Sequence, residues 1–175
     1  MQKTGDKELL ALAKQIGELL KQNGLMLATA ESCTGGWIGQ IVTAVPGSSA
    51  WFDRGFITYS NLAKQQMLSV TPMILTRFGA VSEQTARAMA DGAIKKSKAQ
   101  VAVAVTGIAG PEGGTVTKPV GTVCFAWSII NQENQSASSR TCLLNGDREA
   151  IRRQAVATAL QGLLELLKNV ESRCA

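Results

Sequence analysis

Apolar side chains recur every three or four residues in two long segments near the ends of the chain. The first segment spans residues 7–22 and stops at Asn23-Gly24, a pair that commonly ends helices. The last spans residues 147–170 and carries a leucine stripe. Both segments are therefore predicted to be amphipathic helices. Breaking and capping residues predict shorter helices at residues 34–45, 71–78 and 82–98, and one that passes through Lys64 after the capping pair Ser60-Asn61.

Short segments bounded by turn residues, several of them apolar, lie between these helices. They predict strands at residues 25–30, 51–59, 100–106, 121–129 and 136–144. The run 100–106 is apolar almost throughout, which is typical of a central strand. The last two runs flank a polar turn at residues 131–135 and are predicted to be antiparallel neighbours. This order of elements predicts one domain over residues 1–175, an α/β fold built as a three-layer α/β/α sandwich with a mixed, mostly parallel sheet.

Three of the predicted strands end in residues that carry a hydroxyl group or are glycine. Ser32 follows the first strand, Tyr59 lies at the end of the second, and Thr106-Gly107 end the third. In open α/β sheets, ligands bind at the carboxyl ends of the strands. The sequence therefore predicts that these strand ends form one site.

The chain contains no histidine, which limits how a nucleophile could be activated. Ser32 opens a tight turn, and the N–H groups of residues 34–36 are candidates to stabilise an oxyanion. Cys33 is a rival nucleophile, and it too would need a base. Lys64 has apolar neighbours and could be that base if burial lowers its pKa. From these residues alone, simpler roles stay open: Ser32 as a capping serine and Lys64 as an exposed helix lysine.

Three further segments offer groups for a ligand. The turn that contains Ser48 presents hydroxyl and N–H groups, although an ordinary turn is an equal alternative. The glycine-rich loop 107–114 brings backbone close to whatever binds, but it has neither the Walker spacing nor the dinucleotide fingerprint. Arg148 adds positive charge at the start of the last helix, which suits a phosphate, whereas a solvated arginine beside the capping residue Asp147 is the simpler alternative.

Composition narrows the class of protein. The 175 residues are 45% hydrophobic and 18% charged, as in globular domains, and no apolar run reaches the length of a membrane span. The net charge is +5, but the basic residues are scattered without interleaved aromatic residues, so a small anionic substrate accounts for them better than nucleic acid. The four cysteines lack metal-ligand spacing, which predicts reduced thiols in a cytoplasmic protein and no metal site.

The chain also carries a series of longer motifs. They are ESCTGG at residues 31–36, PGSS at 46–49, RG at 54–55, TYSN at 58–61 followed by Lys64, GAVSE at 79–83, AVTGIAGP at 104–111, KPVGTV at 118–123 and GDR at 146–148. In this order, from about residue 9 to residue 167, they resemble the CinA C-terminal domain family. The motifs are long and specific, and the resemblance covers nearly the whole chain.

The resemblance implies an amidohydrolase that acts on a small nucleotide and needs no cofactor. The implied reaction is hydrolysis of the carboxamide of nicotinamide mononucleotide to nicotinate mononucleotide and ammonia, within pyridine-nucleotide recycling. The implied catalytic residues are Ser32 as nucleophile and Lys64 as general base, with Tyr59 as an assisting group. The implied substrate contacts are Thr34, Gly35, Gly36, Ser48, Thr106, Gly107 and Arg148.

Two other functions stay open at this level. A CinA-like domain that binds a nucleotide without hydrolysing it would have the same fold and would release no ammonia. A DNA-associated protein is suggested by the net charge alone and would show steep salt-dependent binding. The sequence also leaves open whether the leucine-rich terminal helices and the Trp51-Phe52 pair form a homodimer surface or part of the core.

Overall fold

Five strands form a single mixed sheet in a computed structural model that describes residues 5–130 and 135–174. The strands are β1 (Leu27–Glu31), β2 (Phe52–Ile57), β3 (Val101–Gly107), β4 (Thr122–Ile130) and β5 (Gln135–Leu143). Their order across the sheet is β2-β1-β3-β4-β5. β1 is parallel to β2 and β3, whereas β4 is antiparallel to both of its neighbours. All strands except β4 therefore run in one direction, which confirms the predicted mixed, mostly parallel sheet.

Helices cover both faces of this sheet. They are α1 (Asp6–Gln22), α2 (Trp37–Thr43), α3 (Asn61–Leu68), α4 (Pro72–Phe78), α5 (Glu83–Lys95) and α6 (Arg148–Cys174). Apolar side chains of α1, α2 and α6 form one core cluster with one face of the sheet. Those of α3, α4 and α5 form a second cluster on the other face. The three-layer sandwich predicted from the order of elements is confirmed.

β3 lies at the centre of the sheet, as its apolar run predicts. Val101, Val103 and Val105 pack into the cluster beneath α1, α2 and α6. Ala102 and Ala104 face the opposite way and pack beneath α5. Because helices cover both faces, an alternation of apolar and polar residues would place polar groups in a core, and the strand is apolar for that reason.

Most predicted helix starts are confirmed by their caps. The side-chain oxygens of Ser60, Thr71 and Ser82 each accept an N–H from the residue three positions later. Asp147 does the same at the start of α6, where its carboxylate accepts the N–H of Ala150 at 2.8 Å. These bonds satisfy backbone donors that the first helical turn leaves without a partner.

The start of α2 differs from its prediction. This helix begins at Trp37 rather than at residue 34, because Gly35 and Gly36 have left-handed backbone angles (φ 61° and 92°) that a right-handed helix does not admit. The four residues before it instead form turns. The predicted polar turn at residues 131–135 lies, except for its last residue, outside the described residues.

The apolar residues considered for a dimer surface belong to the core. Trp51 is fully buried, and its ring lies against Gly17 of α1 so closely that a Cβ there would meet it at 2.7 Å. About half of the leucines of α1 and α6 are buried in the same cluster, and the others are partly buried against it, as is Phe52. The buried members of this set therefore belong to the core of this chain.

The connections that follow β1 and β2 leave the sheet on opposite faces. The chain after β1 turns into α2, which belongs to the first cluster, whereas the chain after β2 turns into α3, which belongs to the second. Diverging connections after adjacent parallel strands open a crevice at their carboxyl ends, the usual ligand site in such folds. Ser32 and Lys64 come to this crevice from its two sides.

Candidate active site

Ser32 and Lys64 are in direct contact. The N–H of Ser32 donates to the carbonyl oxygen of Val105 at 2.9 Å, which continues the pairing of β1 with β3 by one residue. Lys64 lies in the first turn of α3, and its Nζ lies 3.0 Å from Oγ of Ser32 and 2.9 Å from the carbonyl oxygen of Thr58. The two residues are 32 positions apart in sequence, and the diverging connections bring them together.

Lys64 is buried without a compensating charge. Lys64 is 1% exposed, and no ion pair among the described residues includes it. Burial lowers the pKa of Lys64 below its usual value of 10.5, because the ammonium form loses its hydration, while the nearby Cys33 raises that pKa by a smaller amount. An amine in this position is suited to accept a proton.

Replacing Lys64 with methionine should stabilise the protein most at low pH. Because folding lowers the pKa of Lys64, the unfolded chain binds more protons than the folded one at any pH between the folded pKa and 10.5, and wild-type stability rises with pH across that window. Methionine has a similar length and no charge. We therefore expect the free energy of unfolding of Lys64→Met, compared with that of wild type, to be most favourable below the folded pKa of Lys64, and we expect this difference to shrink as the pH approaches 10.5.

Urea unfolding at several pH values measures this difference. Lys95→Met serves as the control, since Lys95 is exposed near the end of α5. A gain for Lys64→Met that grows with pH, or that equals the gain of the control, would contradict a buried lysine with a lowered pKa.

Cys33 is a poor rival to Ser32 as nucleophile. The residue is 6% exposed, and burial raises the pKa of its thiol to about 12. The reactive form of cysteine is the thiolate, which this site disfavours. The geometry therefore favours the serine of the Ser32-Cys33 pair.

Glu31 fixes the start of α2 and the turn after Ser32. Its carboxylate is 1% exposed and accepts the N–H groups of Gly36 (3.0 Å), Ile38 (3.0 Å) and Gly39 (2.8 Å). A negative charge at a helix N-terminus is favourable, and here it also satisfies three backbone donors. The sequence reasoning gave Glu31 no role, although an acid between an apolar strand and a turn with two glycines is a signal for such a cap.

The bonds of this turn correct the set of oxyanion donors expected from sequence. The N–H of Gly35 donates to the carbonyl of Ser32 at 3.0 Å, and the N–H of Gly36 is taken by Glu31. The N–H groups of Cys33 and Thr34 are donated to no oxygen of residues 5–130 and 135–174. The two amides directly after Ser32 are therefore the available donors, because the glycine amides already hold the turn in shape.

Two arginines of α6 donate hydrogen bonds to the Ser32 turn and to groups near it. Arg152 donates to the carbonyl oxygens of Cys33 (3.0 Å) and Thr34 (2.9 Å). Arg148 donates to the carbonyl of Gly110 (2.7 Å) and to the hydroxyl of Tyr59 (2.9 Å). Sequence reasoning missed Arg152, although it follows Arg148 by four positions and so lies on the same face of a helix.

Tyr59 lies at the surface, whereas Ser32 and Lys64, the dyad of this site, are buried. It is 63% exposed, and its hydroxyl accepts a hydrogen bond from Arg148; neither Ser32 nor Lys64 is bonded to it. The strand end places its backbone at the crevice, while its ring stands at the surface. Its role in the reaction stays a prediction.

Thr106 and Gly107 lie at the carboxyl end of β3, as predicted. The hydroxyl of Thr106 donates to the carbonyl of Ala80 at 2.8 Å and is buried, so it ties β3 to the loop before α5. A Cβ on Gly107 would lie 2.8 Å from a methyl group of Val123. Both residues lie on the strand that pairs with Ser32 through Val105, and their contact with substrate stays a prediction.

Ser48 is not brought to this crevice. It lies in the short 3-10 turn Ser48–Ala50 that precedes β2, and the neighbouring Trp51 is bonded to Leu27 at the start of β1. Ser32 follows the opposite end of β1. The length of that strand therefore separates Ser48 from the dyad within this chain, and this sequence-based assignment is not supported.

An open cavity of about 550 Å³ adjoins the Ser32 turn, a size within the range of small-molecule sites. Its lining consists of Gly35, Gly36, Trp37, Gln40, Arg148, Glu149 and Arg152. Three of these, the two glycines and Arg148, were predicted as substrate contacts. The dyad lies beside this cavity rather than in its wall.

Two other expectations concern a metal site and a membrane-spanning helix. Residues 5–130 and 135–174 contain no group of three or more histidine, cysteine or acidic side chains arranged to hold a metal ion. No helix in the same ranges combines the length and apolar character needed to cross a membrane.

The fold and these motifs place the chain in a family. It belongs to the CinA C-terminal domain family, whose model matches residues 9–167. Over 158 residues it is 52% identical to the nicotinamide-nucleotide amidohydrolase PncC of Escherichia coli K12, which covers 90% of this chain and 94% of that protein. The Pseudomonas putida protein of the same name is 48% identical, with 90% and 96% covered.

A solved structure of a related protein has the same fold. The competence/damage inducible protein CihA from Agrobacterium tumefaciens superimposes with a TM-score of 0.85 at 47% sequence identity. The match covers 95% of this chain and 98% of that one. The family resemblance and the fold predicted from the sequence are both confirmed.

Proposed function

We propose that this protein hydrolyses the carboxamide of nicotinamide mononucleotide to nicotinate mononucleotide and ammonia. The observation that carries the proposal is the buried Ser32–Lys64 pair, a hydroxyl 3.0 Å from an amine whose pKa is lowered by burial. The names of the relatives from Escherichia coli and Pseudomonas putida, at about half identity over most of both chains, support the substrate.

Proton transfer within the dyad starts the reaction. A neutral lysine has two N–H groups and one lone pair. With one N–H of Lys64 donated to the carbonyl of Thr58, the lone pair can face the Ser32 hydroxyl at 3.0 Å and accept its proton. The Ser32 oxygen then attacks the carboxamide carbon and forms a tetrahedral intermediate.

The charge of that intermediate falls on the former amide oxygen. The N–H groups of Cys33 and Thr34, which no oxygen atom of the described residues accepts, follow the nucleophile directly and are proposed as hydrogen-bond donors to this oxygen. Removing one donor of this kind typically costs about 3 kcal/mol of transition-state stabilisation. The burial of Ser32 and Lys64 strengthens these interactions by excluding water.

Collapse of the intermediate releases ammonia and leaves an ester on Ser32. Protonated Lys64 gives its proton to the leaving nitrogen and becomes neutral again. It then removes a proton from a water molecule that attacks the ester carbon, and nicotinate mononucleotide leaves as the Ser32 hydroxyl is restored. Every proton that Lys64 takes in this sequence is returned, so no cofactor is required by the proposal.

The cavity is proposed to hold the nucleotide. Arg148 places a permanent positive charge at its wall, which suits the 5′-phosphate, and Gly35 and Gly36 let backbone approach the substrate closely. Tyr59 is proposed to assist from the same side, since Arg148 holds its hydroxyl. Thr34, Thr106 and Gly107 complete the proposed contacts, which leave out Ser48.

Ammonia release from nicotinamide mononucleotide by the purified protein tests the proposal. We expect ammonia and nicotinate mononucleotide in equal amounts. A protein that binds the nucleotide, as seen by a shift in its melting temperature, but releases no ammonia would instead be a nucleotide-binding domain. We also propose that the reaction serves pyridine-nucleotide recycling in the cytoplasm.

A further inference from the structure

Arg152 contacts the backbone of the Ser32 turn through two of its nitrogen atoms. Nε donates to the carbonyl of Cys33 at 3.0 Å, and Nη2 donates to the carbonyl of Thr34 at 2.9 Å. The guanidinium also lies over the ring of Trp37, 5.3 Å from its centre. The side chain is therefore fixed by a neighbouring helix and by two carbonyl groups that follow the nucleophile.

These two bonds set the direction of the amides that matter for catalysis. In a planar trans peptide, the C=O and N–H groups point in opposite directions. The carbonyl of Cys33 shares its peptide plane with the N–H of Thr34, so a guanidinium on that carbonyl turns this N–H away from Arg152. The second bond fixes the next plane, whose N–H, on Gly35, donates to the carbonyl of Ser32.

We propose that Arg152 is a positioning residue for the reaction: it holds the peptide between Cys33 and Thr34 so that the Thr34 N–H faces the oxyanion formed at Ser32. This rests on the proposed function. A cation on both carbonyls also opposes rotation of either peptide, since rotation would break a charge-assisted bond in a partly buried place.

The alternative role for Arg152 is direct binding of the substrate phosphate, because it also lines the cavity. The two roles separate kinetically. A positioning residue affects the transition state and lowers kcat with little change in KM, whereas a phosphate ligand raises KM. Arg148, with both of its bonds made to groups outside the Ser32 turn, is the stronger candidate for the phosphate.

Steady-state ammonia release by Arg152→Ala tests the proposal. We expect kcat to fall about a hundredfold with KM within about threefold of wild type, and we expect guanidinium ion in the assay to restore part of the lost kcat. Arg152→Lys keeps the charge but cannot make both bonds in the same plane, so its kcat should lie between those of wild type and Arg152→Ala. It also serves as the test if the alanine variant fails to fold.

Arg153→Ala is the matched control. Arg153 is the next residue of α6 and lies over the same Trp37 ring at 4.9 Å, but it pairs with Asp6 and Glu149 instead of with the turn. We expect its kcat to equal that of wild type. Equal losses at Arg152 and Arg153, or a raised KM with unchanged kcat in the Arg152 variants, would overturn the positioning role. A wild-type protein without turnover would overturn the proposed function itself, and this inference with it.

Discussion

Ser32→Ala is expected to lower ammonia release from nicotinamide mononucleotide by at least about a thousandfold. The substitution removes only the oxygen that attacks the carboxamide. The turn itself depends on the carboxylate of Glu31 and on backbone groups, so its shape should persist. The binding of the nucleotide in the adjoining cavity should change little, and kcat should carry the loss.

Measurement of kcat, KM and the melting temperature on the same preparation checks this expectation. Ser138→Ala is the control, because Ser138 lies exposed on β5, the strand at the edge of the sheet farthest from β2. Turnover by Ser32→Ala within tenfold of wild type would mean that water attacks the substrate directly, and Ser32 would not be the nucleophile.

Glu31→Ala is expected to cause the largest loss of stability among single changes at the site. The carboxylate satisfies three N–H groups at the start of α2 while it is itself 1% exposed. Alanine would leave those donors buried without an acceptor, at about 1–3 kcal/mol for each that water cannot reach. We expect a loss of about 3 kcal/mol or more in the free energy of unfolding, together with loss of activity.

Urea unfolding with a far-ultraviolet circular dichroism signal measures that loss. Glu165→Ala provides the control for removing an acid, since Glu165 is exposed on α6. Glu31→Gln keeps the shape but directs an amide N–H group at backbone donors, so it should fall between wild type and Glu31→Ala. Equal stability of Glu31→Ala and the control would show that water, rather than the carboxylate, satisfies the α2 N-terminus.

The layers of the fold could be predicted because each depends on local pattern. The caps at Ser60, Thr71 and Ser82 and the apolar run of β3 are short-range signals, and all are confirmed. The crevice could also be predicted, since parallel strands bring their carboxyl ends to one edge of a sheet. That rule is sufficient to place Ser32 at the site.

The remaining features of the site depend on contacts between distant segments. Lys64 has the sequence surroundings of an ordinary helix lysine, and its burial becomes visible only when α3 packs against α5 and β2 and brings Lys64 to Ser32. Arg152 is 119 positions from Cys33 in sequence, so no local sequence pattern predicts their contact. Residue types predict the amides of residues 34–36 as oxyanion donors, but they do not show that Ser32 and Glu31 already accept those of Gly35 and Gly36.

Ser48 has the local sequence of a site residue, but the fold places it away from the site. Its turn has the hydroxyl and N–H groups of a binding loop, yet the fold places it before β2, at the amino end of the strands. Residue type and local conformation fit a binding turn there, and only the topology of the sheet decides which edge the turn occupies. Position relative to strand direction is therefore the stronger criterion for membership of the site.

The claim that neutral Lys64 activates Ser32 is tested most directly by ammonia release from nicotinamide mononucleotide by wild type beside Lys64→Met at the same pH. Methionine retains the length of the side chain and should leave a folded, nucleotide-binding protein. We predict rapid release by wild type and a loss of at least about a thousandfold in the variant. Turnover by Lys64→Met close to that of wild type would contradict the account.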